Sequence, residues 1–139
     1  MRLRIIGCTG SMSGPDSPAS CYLLQALGPD QRTGRQRTWN LVLDMGPGSF
    51  GELWRYIEPT NIDAAIFSHC HADHMGDVIS LHVYRRWGPG AYCDPMVLAG
   101  PACLPGRVRQ IDGAGEEENY STEFIFKELS DTQTWDLGP

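Results

Sequence analysis

His69-Cys70-His71-Ala72-Asp73-His74 places four metal-binding side chains within six residues, directly behind the apolar stretch Ala64-Ala65-Ile66-Phe67. Core packing gives no reason for such a density. Three imidazoles and a carboxylate form the mixed nitrogen and oxygen donor set that zinc prefers. If Ala64 to Ser68 is a strand, His69 and His71 stand two residues apart at its end and point the same way, so they can clasp one ion. Cys70 then faces the opposite side, toward packing. Asp73 and His74 lie past the strand, where the chain turns into a helix, and face a second position alongside. The spacing suits two metals better than one.

The flanking sequence supplies strands and helices for such a site. Leu3 to Ile6, Cys21 to Ala26 and Trp39 to Leu43 have strand composition, and the last two are expected to pair as a hairpin across a polar turn from Gly28 to Arg37. Cys8 to Ala19 is almost entirely Gly, Ser, Thr and Pro, a loop by composition. Phe50, Leu53, Trp54 and Ile57 recur at helical spacing and stop near Pro59. Asp63 to Ser68 is the strand before the motif. Met75 to Trp87 is expected to be one helix, with Val78, Ile79, His82 and Val83 on a shared face. Pro95 to Leu98 and Thr122 to Leu129 complete the strands, with a short helix near Arg107 and an acidic loop from Gly113 to Asn119. Trp135 to Pro139 has the composition of a turn entering a further strand. Strands first, then strands interleaved with helices, predict a layered α/β arrangement with sheets inside and helices outside.

A chain of 139 residues is one domain by length. Its net charge of −6 argues against broad nucleic-acid or anionic-membrane binding. No apolar run is long enough to span a bilayer. The start, Met1 to Gly7, lacks an apolar signal segment and reads as a strand. Five cysteines without regular spacing fit free thiols in a reducing, cytoplasmic setting.

From His69 to Asp77 the chain resembles the metallo-β-lactamase-fold hydrolases, which fold as an αββα sandwich. Asp44, closing the strand Leu41-Val42-Leu43, matches a second feature of that family. The opening Ile5-Ile6-Gly7-Cys8-Thr9-Gly10-Ser11, with Gly14 to Ser20 behind it, is similar to the ribonuclease Z-like branch. Within that branch it looks closest to small cytosolic members that act as atypical cyclic-nucleotide phosphodiesterases, and Val83-Tyr84-Arg85-Arg86-Trp87 fits the same subgroup. The resemblance implies that His69 and His71 bind a first zinc and Asp73 and His74 a second, with manganese as the other candidate metal. Asp44 is implied to brace the site from behind rather than to ligate; a plain strand-end aspartate capping the next turn is the bland reading. The family completes its site with a later histidine, a bridging aspartate and a final histidine. Residues 1–139 are therefore expected to be the N-terminal part of a single domain, truncated to about its first half, with a separately encoded second half as a possible partner.

The chemistry so implied is hydrolysis of a small phosphodiester, with Asp73 orienting the attacking water or relaying its proton. The Cys8–Ala19 loop offers donors to phosphate but lacks the P-loop lysine, so nucleoside triphosphates are excluded. A turn-rich connection is its plain reading. Arg32, Arg35 and Arg37 read as a solvated hairpin tip. No basic arm for gripping transfer RNA is visible, which favours a cyclic nucleotide over tRNA processing without excluding tRNA. The competing expectations are a thioester or lactone hydrolase of the same fold, and a non-catalytic truncated or split product that binds metal weakly. Oligomeric state leaves no mark in the sequence.

Overall fold

The computed structural model describes residues 1–132 and 134; Trp135 to Pro139 lie outside them. Alternating aliphatic residues build six strands: β1 (Arg2–Gly7), β2 (Cys21–Pro29), β3 (Gln36–Leu43), β4 (Ala64–Ile66), β5 (Met96–Gly100) and β6 (Phe124–Glu128). They form one sheet in sequence order, antiparallel from β1 to β3 and parallel from β3 to β6. Each parallel step needs a crossover. These are α1 (Ser49–Trp54), then α2 (Ala72–Met75) with α3 (Val78–Arg86), then α4 (Leu104–Asp112).

Crossovers of one hand that advance steadily along a sheet place their helices on one face. Burial follows that rule. Leu23, Val42, Ala65 and Leu98 occupy one cross-strand row and are fully buried against Leu53, Val78, Leu81 and Val108 of the helices. The adjacent row runs Leu3, Leu24, Leu41, Ala64, Val97 and Ile125 across all six strands and points the other way. Its ends are open, Leu3 at 57% and Ile125 at 48% exposure. The sheet thus has one helix-covered face and one apolar face without a described helix, half of the expected αββα layering. Among the described residues no helix is long and apolar enough to cross a membrane.

Several boundaries differ from expectation, each for a local reason. The β2–β3 turn is only Asp30 to Arg35, because Asp30 Oδ1 accepts from the Arg32 and Thr33 amides at 3.1 and 2.7 Å and closes it early. Strand pairing consequently reaches Pro29 and Gln36. Polar Arg37 belongs to the strand: it stacks on Trp39, 3.8 Å from the ring centre, and pairs with Asp63. The strand before the motif stops at Ile66. The helix after it is split at Gly76-Asp77, where the Asp77 carboxylate accepts the Phe50 amide of α1 at 2.7 Å. On α3 the buried residues are Val78, Leu81, His82, Tyr84 and Arg85, whereas Val83 is 47% exposed. Arg85 is buried because its guanidinium donates to the backbone carbonyls of Glu123 and Asp94. An apolar count therefore misplaces this face.

The link between β3 and the motif is tight. Met45 N donates to His74 O at 2.7 Å, and Asp77 N returns to Met45 O at 3.0 Å. A Cβ on Gly46 would stand 2.2 Å from Asp73 O and 2.7 Å from Ala19 Cβ. Gly46→Ala is expected to destabilise the fold by about 1–3 kcal/mol through overpacking, measured as a lower urea midpoint.

Candidate metal centre

β4 ends the parallel ladder at Ile66, and the motif forms the loop from its end into α2, with His71 at the N-cap of that helix. His69 and His71 are thus delivered by a loop rather than by strand alternation. Their rings still meet, edge to face, with centroids 4.9 Å apart. One donor atom each from His69, His71 and Asp73 lie within 4.8 Å of one another. An ion that holds its ligands at about 2.0–2.2 Å keeps any two within roughly 4.4 Å, so small side-chain rotations suffice to close this set. His74 stands beside it, its ring centroid 4.0 Å from His69 and its Nε2 3.5 Å from Asp73 Oδ2.

Asp44 organises the imidazoles from behind. Its Oδ2 lies 2.7 Å from His74 Nδ1, and its Oδ1 accepts the Ser68 amide at 2.8 Å. Ser68 Oγ also reaches both Asp44 oxygens, at 3.0 and 2.8 Å, and lies 2.9 Å from His69 Nδ1. A carboxylate only accepts, so His74 Nδ1 carries the hydrogen. The single Ser68 hydroxyl hydrogen goes to Asp44, so Ser68 accepts from His69 Nδ1. Both rings therefore keep Nε2 as the free donor atom. Asp44 has a positive φ of 56°, a conformation that Asp and Asn tolerate better than other side chains. Asp44→Asn preserves that backbone while turning an acceptor into a mixed group that cannot satisfy both partners. The expected result is a 10–100-fold weaker zinc affinity, roughly, in a competition titration with a chromophoric chelator.

Asp73 is held below the usual carboxylate range, first by a hydrogen bond from Ser11 and further by the neighbouring His74 and His71. It is an acceptor at neutral pH. Cys70 differs: burial and the Cys103 thiol push it up to about 12, which disfavours it as a nucleophile. Ser68 and Ser11 are the contributors that motif reading missed. Ser68 directly precedes His69 and was visible as a polar strand end; nothing in the spacing marks Ser11, which the fold alone brings to Asp73.

The Cys8–Ala19 loop spends donors on itself and its neighbour: Thr9 Oγ1 donates to Pro18 O at 2.6 Å, Gly14 N to Ser17 O at 2.8 Å, and Ala19 N to Pro47 O at 3.2 Å. That matches the turn-rich reading better than a phosphate cradle. His82 lies in the core at 1% exposure, away from the motif and beside Glu123.

A mixed sheet whose central strand feeds a loop of histidines and an aspartate, braced by an aspartate from the adjoining strand, is the layout of a metallohydrolase domain. The chain belongs to the metallo-beta-lactamase superfamily, whose family model matches residues 16–96. It is 35% identical over 140 residues to the uncharacterised protein Rv1339 of Mycobacterium tuberculosis, covering 99% of this chain and 48% of that one. It is 27% identical over 88 residues to the probable metallo-hydrolase YhfI of Bacillus subtilis, 63% of this chain and 32% of YhfI. The crystal structure of YhfI superposes with a TM-score of 0.69 at 22% identity, covering 94% of this chain and 47% of that chain. The short form of human tRNase Z superposes at 0.66 with 16% identity and the same coverage. The chain spans about half the length of the curated relatives it matches over its full extent.

Proposed function

We propose that this chain carries the histidine-rich half of a dinuclear-zinc phosphodiesterase acting on a small phosphodiester, a cyclic nucleotide being the preferred class. The observation that carries the reading is the convergence of His69, His71 and Asp73 donor atoms within 4.8 Å, with Asp44 setting which imidazole nitrogen faces them. Two divalent ions, when bound, supply a water that is acidic near neutrality and charge neutralisation on the phosphoryl oxygens. His69 and His71 hold one ion; Asp73 and His74 hold the other. Asp73, an acceptor held ionised, orients the attacking water or relays its proton. No side chain here is needed as a covalent nucleophile.

A catalytic zinc ordinarily has three protein ligands and an open position. The donors that His69, His71, Asp73 and His74 do not provide come, on this reading, from the polypeptide corresponding to the other half of the relatives' length. That polypeptide also covers the apolar row from Leu3 to Ile125. The acidic balance, and the engagement of Arg37 with Asp63 and Trp39, support a small substrate over tRNA. A cytoplasmic setting agrees with free thiols.

The test is a substrate panel on the full-length protein with zinc or manganese: cyclic nucleotides, bis(p-nitrophenyl) phosphate, a tRNA precursor, thioesters and lactones. Turnover of cyclic nucleotides well above the others is expected. Thioester or lactone turnover with inert phosphodiesters would overturn the phosphodiesterase assignment.

A further inference from the structure

Cys103 holds the N-cap position of α4, where Ser, Thr, Asp or Asn would normally serve, yet its side chain caps nothing. Its Sγ lies instead 2.9 Å from Sγ of Cys70, 33 positions earlier in the chain. The separation is within about 1 Å of a sulfur–sulfur bond, near 2.05 Å. Cys70 sits between His69 and His71. Arg107, in the first turns of α4, donates from Nε to the Cys70 carbonyl oxygen at 3.1 Å, so the loop and the helix are already joined through the backbone. Both thiols are free; Cys103 is exposed, whereas Cys70 is half-buried against the core.

We propose that Cys70 and Cys103 form a reversible disulfide, made by peroxides, that ties the histidine loop to the start of α4. The exposed Cys103 reacts first. Its sulfur attacks one peroxide oxygen, the O–O bond breaks, and the departing hydroxide takes the thiol proton as water, leaving a sulfenic acid. Oxidation removes the Cys103 thiol that helps to keep Cys70 protonated, and the departing sulfenic hydroxide takes the Cys70 proton: the S–S bond forms as the S–O bond breaks, and a second water leaves. Two thiols are oxidised by two electrons and one peroxide is reduced to two waters. A dithiol reverses the step by two exchanges. Sulfurs already 2.9 Å apart have little distance to close, which separates this pair from cysteines that merely share a surface. In a reducing compartment such a bond is transient and responds to oxidant. It pins the backbone between His69 and His71; an effect on metal uptake rests on the ligand reading above, whereas the bond itself does not.

The experiment treats reduced, metal-free full-length protein with hydrogen peroxide, alkylates the remaining thiols and maps the peptides by mass spectrometry. A peptide linking residues 70 and 103, the loss of both as alkylatable thiols, and recovery of both with dithiothreitol are expected. Amide exchange across residues 69–72 slows in the oxidised form. Cys103→Ser removes the link and leaves Cys70 alkylatable, while Cys8→Ser changes neither. Oxidation of Cys103 to sulfinic acid with Cys70 still alkylatable would overturn the proposal. Because these readouts need no metal, a linked but hydrolytically inert protein would count against the phosphodiesterase reading alone.

Discussion

Replacing His69 by alanine in the full-length protein is expected to lower kcat/KM for the proposed phosphodiester hydrolysis by about 10³-fold or more, with the fold intact by circular dichroism. Metal assistance contributes several kcal/mol to such a reaction, and each 1.4 kcal/mol or so is a factor of ten. His69 has no substitute nearby. Its ring meets those of both His71 and His74, and its Nδ1 is already committed to Ser68. Removing it therefore deletes one donor and loosens the ring packing around two others. Elemental analysis should show zinc content falling together with activity, and His71→Ala should behave alike. Arg32→Ala, at the exposed hairpin tip, should leave both unchanged. If His69→Ala kept its metal and remained within tenfold of wild-type turnover, the cluster would not be the reaction centre.

That the motif residues would meet was legible because they are close in sequence and follow an apolar run, so almost any turn into a helix gathers them. How they meet was not. Alternation along a strand was the expected device, but β4 ends at Ile66 and the loop does the work. The reason lies across the sheet: Asp44 takes the Ser68 amide at 2.8 Å and draws the backbone out of the ladder. The positions of the six strands followed from aliphatic composition and the punctuating turns, which are local; their order in one sheet came from the structure. Errors clustered where one polar side chain did a backbone's task. Asp30 shortened the hairpin turn, Asp77 split a helix to hold α1, and Arg85 took a core position that an apolar count assigns to Val83. The last two join residues far apart in sequence, and periodicity carries no trace of them.

Glu123→Ala is expected to destabilise the fold by about 1–3 kcal/mol, although Glu123 is remote from the motif and touches no site residue. Glu123 is 1% exposed, as is His82 of α3, and its Oε1 lies 2.6 Å from His82 Nδ1. Neither of these two atoms makes a hydrogen bond, so the contact packs a carboxylate directly against an imidazole in the core. Thr122 Oγ donates to the other carboxylate oxygen, and Arg86 Nη1 stands 3.7 Å from Oε1. On its far side His82 Nε2 is 3.9 Å from Asp112 of α4, which accepts the Tyr120 hydroxyl at 2.9 Å. This one buried cluster therefore joins α3, α4 and the entry to β6. Truncating Glu123 leaves an imidazole in the core without its close carboxylate and opens a void beside Tyr120, whose ring packs 5.0 Å from His82. His82→Ala should cost a comparable amount, and the double variant less than the sum, because the two side chains act on each other. By contrast, deleting the surface Glu52–Arg55 pair, whose arginine is exposed, should change stability by no more than about 0.5 kcal/mol. Urea unfolding of the four variants decides the matter. Strict additivity of Glu123→Ala and His82→Ala would mean that the pair is in contact without being coupled.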